Sequence, residues 1–149
     1  MIHNDVLRSL RYILNVNDSK MAEIFTLGGL NIKASEIENL LKKEDEVAFV
    51  ECSDNMMAHF LNGLVLFKRG KDESRAPQAL VTPVTNNIIL KKVRVAFELK
   101  DDDLREMIEK AGLTVSKTEL SAFFRSPDHR NYRDCGDQFL RNILKELKS

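Results

Sequence analysis

Apolar residues recur along most of the chain at the three- and four-residue spacing of an amphipathic α-helix. Near the N-terminus, Val6, Leu7, Leu10, Ile13 and Leu14 follow this spacing. No stretch shows a convincing alternation of apolar and polar residues over the length of a strand. The pattern therefore predicts an all-α fold.

The pattern also repeats, with an offset of 83 residues. Residues 3–30 align with residues 86–113 without a gap, and residues 31–64 align in the same way with residues 114–147. Identical pairs at this offset include Asn4 and Asn87, Asp18 and Asp101, Gly29 and Gly112, Cys52 and Cys135, and Asp54 and Asp137. Such agreement at one offset indicates a tandem duplication.

The duplication divides the chain into a first helical repeat (residues 1–69), a linker (70–85) and a second helical repeat (86–149), each repeat with four short helices. The linker carries Gly70, Pro77 and Pro83, and its apolar middle, residues 79–81, is expected to rest against one of the copies. We expect the two copies to pack together with pseudo-twofold symmetry, since equivalent surfaces are self-complementary.

Several local signals mark the ends of the predicted helices. Asp18 and Asp101 suit the N-cap of the second helix of each copy. Gly29 and Gly112 suit the left-handed position that ends this helix. The sequence SKTE, residues 116–119, has the form of a capping box at the start of the third helix.

The stretch YRDCGDQFL (132–140) and its counterpart FVECSDNMM (49–57) allow a structural and a catalytic interpretation. In the structural one, Cys52 and Cys135 are buried, while Asp54 and Asp137 satisfy and favour the N-terminus of the fourth helix. In the catalytic one, the helix dipole activates a thiol, which needs a nearby base. No histidine recurs in both copies, so the structural interpretation is favoured.

Other chemistry finds little support in the residue pattern. The three histidines have no carboxylate at triad or ligand spacing along the chain, and paired CxxC or HxxxH spacings are absent. Glycine-rich phosphate loops and nucleophile elbows do not occur. We therefore predict no catalytic residues, no metal and no cofactor.

The second helix, glycine turn and third helix of the second copy superficially resemble a helix-turn-helix. The sequence departs from that motif at Ile108, where the close crossing of the two helices favours a small residue. Lys117, Thr118, Ser121 and Arg125 are nevertheless predicted to share an exposed surface, and these residue types can contact phosphates or base edges.

Composition limits the range of partners. The chain has 23 basic and 23 acidic side chains, so no overall field attracts it to a polyanion. Residues 86–149 nevertheless carry a formal charge of +2 and residues 1–70 one of −2. Apolar runs are too short for a membrane span, and two cysteines without an export signal predict a cytoplasmic protein.

The repeated pattern resembles the YehS-like family, small bacterial proteins with two copies of a domain of unknown function. The resemblance rests on N-x-x-L-x-x-x-R in the first helix, an aspartate before the second, the glycine-leucine turn, S/T-E opening the third helix and C-x-D before the fourth. It covers residues 3–68 and 86–149. It implies a bacterial, cytoplasmic protein and supplies no catalytic residues.

Three functional hypotheses follow. The first is a non-enzymatic binding or regulatory module that interacts with a protein partner. The alternative is nucleic-acid binding through the helix-turn-helix-like part of the second copy. The third is an enzyme that uses the cysteine region, which requires a cleft with a base beside Cys52 or Cys135.

Overall fold

The structure is a computed structural model that describes residues 1–70 and 78–148. Within these ranges the chain forms eight helices and no strand, which confirms the all-α prediction. The helices are α1 (His3–Leu14), α2 (Asp18–Leu27), α3 (Ala34–Leu40), α4 (Asp54–Arg69), α5 (Asn86–Ala96), α6 (Asp101–Lys110), α7 (Lys117–Phe123) and α8 (Asp137–Leu147).

The duplication is visible in the helix boundaries. Each of the four helices of the second copy begins 83 residues after its counterpart in the first. The chain forms two compact units, Met1–Val84 and Thr85–Ser149. Residues 71–77 of the predicted linker lie outside the described residues. The pseudo-twofold packing of the two copies stays a prediction.

The linker's apolar middle was expected to rest against one of the copies, and it is only partly covered in the structure. Ala79, Leu80 and Val81 are exposed. The buried apolar residue of this segment is Val84, which directly precedes Thr85, the N-cap of α5. The segment is also tied to α4 at its start, where Asn62 Nδ2 donates to the carbonyl of Gln78 at 3.4 Å.

In the first unit, α2 packs against α3 and α4. Phe25 and Phe60 meet in the core with ring centroids 4.9 Å apart. Gly63 lets α2 and α4 cross closely, because a Cβ atom there would lie 1.8 Å from the carbonyl oxygen of Ile24. Gly28 has the same role, since its Cβ would lie 1.7 Å from the carbonyl oxygen of His59.

The second unit packs differently at the equivalent crossing. Contacts join α6 with α8 and α5 with α8, and the rings of Phe123 and Phe139 lie 4.9 Å apart. The residues aligned with the two crossing glycines are Ala111 and Glu146. The second copy therefore keeps the helix order of the first without its close glycine crossing.

Two of the predicted helix signals are confirmed. Gly29 and Gly112 have φ angles of 99° and 84°, in the left-handed region that glycine adopts without strain. In the capping box, the amide of Glu119 donates to Ser116 Oγ at 3.0 Å, and the amide of Ser116 donates to Glu119 Oε1 at 3.4 Å.

The predicted N-caps of α2 and α6 are wrong by one residue. Asn17 caps α2 by accepting from the amide of Lys20, and Lys100 holds the N-cap position of α6. The aspartates Asp18 and Asp101 are the first helical residues, where a negative charge favours the helix N-terminus. Each also pairs with an arginine of the preceding helix, at 3.6 Å (Arg11 and Asp18) and 2.7 Å (Arg94 and Asp101).

Candidate functional site

The loop that joins the third and fourth helices of each copy contains that copy's cysteine. The α3–α4 loop comprises residues 41–53. It forms two successive turns, closed by hydrogen bonds from the amide of Glu46 to the carbonyl of Lys43 (3.0 Å) and from Phe49 to Glu46 (3.3 Å). The amide of Val50 then donates to the carbonyl of Asn39, which ties the loop back to α3.

The α7–α8 loop, residues 124–136, has the same backbone hydrogen bonds. The amide of His129 donates to Ser126, and that of Tyr132 donates to His129, both at 2.9 Å. The amide of Arg133 donates to the carbonyl of Ala122 at 3.2 Å. Both copies thus fold this segment in the same way, although few of its side chains are the same.

A buried asparagine of the first helix fixes each loop. Asn4 is 0% exposed, and its Nδ2 donates to the carbonyls of Leu40 and Val50, both at 2.8 Å. Its Oδ1 accepts from the amide of Cys52 at 2.9 Å. One side chain therefore joins the end of α3 to the last part of the loop, just before α4 begins.

Asn87 repeats this arrangement in the second copy. Its Nδ2 donates to the carbonyls of Phe123 (3.0 Å) and Arg133 (2.8 Å), and its Oδ1 accepts from the amide of Cys135 (2.9 Å). We call this set of three bonds the asparagine clamp. A buried amide that satisfies three backbone groups holds its surroundings in one arrangement, because leaving any of them unpaired is costly.

In both loops the clamp holds the backbone amide of a buried cysteine. Cys52 and Cys135 are buried, as predicted, and their amides are held by the clamp. Burial, with a smaller contribution from nearby carboxylates (Asp54 for Cys52, Asp137 for Cys135), raises the pKa of each thiol to about 12. The thiolate that a nucleophile requires is therefore scarce at neutral pH.

A histidine–aspartate pair at the start of α4 was missed by the spacing argument, because its members are 51 residues apart in the chain. His3 Nε2 lies 2.6 Å from Asp54 Oδ1, and this hydrogen bond is the main cause that lowers the pKa of Asp54. The pair lines a surface pocket of about 490 Å³ together with Met1, Ile2, Glu51, Cys52 and Ser53. Ser53 is the N-cap of α4 and accepts from the amide of Met56.

The second copy shows what this pair does. Asn86 occupies the position of the histidine, and its Nδ2 donates to Asp137 Oδ1 at 2.7 Å and to the carbonyl of Cys135 at 3.0 Å. The bond from Asn86 likewise lowers the pKa of Asp137. An amide cannot relay a proton, so the shared role of both pairs is to join the first helix of the copy to the start of the fourth.

The four predicted nucleic-acid contacts do not lie on one helix. Lys117, Thr118 and Ser121 are exposed on α7. Since α7 ends at Phe123, Arg125 lies in the α7–α8 loop, where its Nη1 is 3.3 Å from His129 Nε2. The surface is therefore part helix and part loop.

Side chains on the outside of the two loops differ in chemistry. In the α3–α4 loop Val47 is 92% exposed and Val50 is 47% exposed. The aligned residues of the α7–α8 loop are the exposed arginines Arg130 and Arg133. Residues 42–50 contain two lysines and three acids, a formal charge of −1, whereas residues 125–133 contain three arginines and one aspartate, a formal charge of +2.

The described residues contain neither a metal-binding cluster nor a helix suited to cross a membrane. In residues 1–70 and 78–148, no group of three or more histidine, cysteine, aspartate or glutamate side chains is arranged to hold a metal ion. Over the same ranges, no helix is both long enough and apolar enough to cross a membrane.

Comparisons with known proteins agree with the duplication of the chain. A family model described as "Protein of unknown function (DUF1456)" matches the chain twice, at residues 3–70 and 86–149. The chain belongs to this family. Its resemblance to YehS-like proteins is confirmed, since it is 46% identical to the uncharacterized protein YehS of Escherichia coli (strain K12) over 147 residues. That alignment covers 99% of this chain and 94% of the relative. No solved structure matches the chain.

Proposed function

We propose that the protein is a non-enzymatic binding module whose α3–α4 loop contacts a protein partner through Val47 and Val50. The observation that carries this proposal is the exposure of Val47, 92%, on a loop whose backbone the asparagine clamp fixes. A side chain held in place before binding loses little conformational freedom when a partner covers it.

Charge around the valines indicates the chemistry of the partner. Glu44, Asp45 and Glu46 precede Val47 and are exposed. An apolar centre with an acidic rim complements a protein surface that offers an apolar pocket edged by lysine or arginine. The high pKa of both thiols further supports binding over covalent catalysis.

The test is cross-linking mass spectrometry in cells that produce the full-length chain. Val47→Lys should reduce the recovery of a specific cross-linked partner at least about tenfold, since a buried lysine is poorly tolerated at an apolar interface centre. Val81→Lys is the matched control, because Val81 is also an exposed valine but lies outside both loops. If both variants keep the helical circular dichroism and recover the same cross-linked proteins as the natural chain, the proposal is wrong.

A second candidate function is nucleic-acid binding by the second copy. It is supported by the formal charge of +2 on residues 125–133, next to the exposed Lys117, Thr118 and Ser121 of α7. Fluorescence anisotropy with short single- and double-stranded DNA and RNA tests it. Binding at low salt that weakens as salt rises is expected, because phosphate contacts release counterions.

A further inference from the structure

We infer that Arg125 and His129 form a site for a backbone phosphate of a nucleic acid on the α7–α8 loop. The inference rests on the second candidate function and identifies the atoms that would carry it. It moves the main contact from the helical surface of α7 to the loop that follows.

Both ring nitrogens of His129 face groups that can only donate a hydrogen bond. The amide of Asn131 lies 3.0 Å from His129 Nδ1 and can only donate. Arg125 Nη1 lies 3.3 Å from Nε2 and also can only donate. A neutral imidazole has one acceptor nitrogen and one N–H group, so it cannot accept from both neighbours.

The amide of Asn131 is fixed by the turn, which assigns the acceptor role to Nδ1 and the proton to Nε2. The Nε2–H group and the guanidinium of Arg125 then present two donors whose nitrogen atoms lie 3.3 Å apart. An oxyanion placed against both accepts from each. Hydrogen bonds of this charge-assisted kind are the strong ones, and guanidinium groups suit phosphate geometry.

The other charged side chains of the loop favour a ligand with several linked phosphates, such as a nucleic-acid backbone, over a single phosphate ion. Arg130 is exposed on the same loop and offers a second cation at a distance from the first site. Arg133 is already paired with Glu119 at 3.3 Å. Asp128 accepts from the hydroxyl of Ser126, which lowers the pKa of Asp128 and keeps a negative charge beside His129. Two available cations beside one carboxylate favour a ligand with repeated phosphates, bound with modest, salt-dependent affinity.

The first copy supplies an internal comparison. At the positions of Arg125, His129 and Arg130 it carries Lys42, Glu46 and Val47. The same backbone is therefore compatible with a glutamate in place of the histidine, and the paired donors are specific to the second copy.

The experiment is an anisotropy titration of the full-length chain with fluorescein-labelled single- and double-stranded RNA and DNA at about 20 and 150 mM salt. Arg125→Gln should weaken binding about tenfold, the usual effect of losing a charged hydrogen bond, and should reduce the salt slope by about one. His129→Glu, which installs the first copy's residue, should weaken binding by at least as much. Lys42→Gln, the equivalent change in the first copy, should leave binding unaltered.

The outcomes separate the inference from the function on which it rests. Binding by the natural chain that both loop variants retain would overturn the phosphate site but leave nucleic-acid binding in place. Absence of binding at 20 mM salt would overturn both. Binding to phosphatidylserine vesicles without binding to any nucleic acid would overturn the choice of ligand.

Discussion

Replacing Asn4 with alanine tests whether the asparagine clamp holds the first unit together. The substitution removes three hydrogen bonds at once and is small enough to fit the space. It leaves the carbonyls of Leu40 and Val50 and the amide of Cys52 without their present partner.

The size of the effect follows from the burial of these groups. The hydrogen bonds with Leu40 and Cys52 are buried, so each backbone group left without a partner lowers the free energy of unfolding by about 1–3 kcal/mol. The bond with Val50 is only partly buried, and that carbonyl can turn to water, which limits its loss to roughly 0.5–1 kcal/mol. The total is about 2.5–7 kcal/mol, a large part of the 5–15 kcal/mol that usually stabilises a domain.

Two measurements check this value. Urea unfolding followed by circular dichroism should show a lower free energy of unfolding for Asn4→Ala. Amide exchange of Cys52 should speed up by about two orders of magnitude or more, because each 1.4 kcal/mol corresponds to a factor of ten. Exchange of Cys135 in the same molecule provides an internal reference and should change far less.

Asn55→Ala is the matched control, since Asn55 is exposed on α4. Its effect should stay within about 0.5 kcal/mol, as for most surface substitutions. If Asn4→Ala also changes stability by no more than this, and the exchange of Cys52 is unaltered, the clamp does not stabilise the fold and the reasoning is refuted.

Three further predictions concern the helix crossing, a helix cap and the thiols. Gly63→Ala should lower the free energy of unfolding by at least about 2 kcal/mol in urea titrations, because the alanine Cβ would lie 1.8 Å from the carbonyl oxygen of Ile24. Unchanged stability would contradict the close crossing of α2 and α4. Gly136→Ser should raise the free energy of unfolding by a few tenths of a kcal/mol, because it adds a capping hydroxyl in open space at the N-cap of α8. The thermal midpoint should then rise slightly, and a lower midpoint would contradict this. Cys52 and Cys135, with pKa values of about 12, should resist Ellman's reagent at pH 8 until denaturant is added, and rapid labelling of the native chain would contradict their burial.

Features that depend on a few neighbouring residues were predictable from the chain itself. The apolar spacing fixes the helices, the repeat fixes their order, and Gly29 and Gly112 mark turns because glycine adopts positive φ without strain. The capping box of Ser116 and Glu119 is equally local. The N-cap of α2 was misplaced because Asn17 and Asp18 are adjacent and either side chain can cap a helix.

The candidate site depended instead on which distant residues meet after folding. Asn4 reaches partners 36, 46 and 48 residues away, and His3 reaches Asp54 across 51 residues. A polar residue repeated within an apolar helix stripe was a signal for the clamp, since buried polar groups are nearly always hydrogen-bonded, but its partners could not be read from it. Helix periodicity and capping act over one or two turns. Hydrogen bonds between helices depend on how those helices pack, and that packing is set by the whole core.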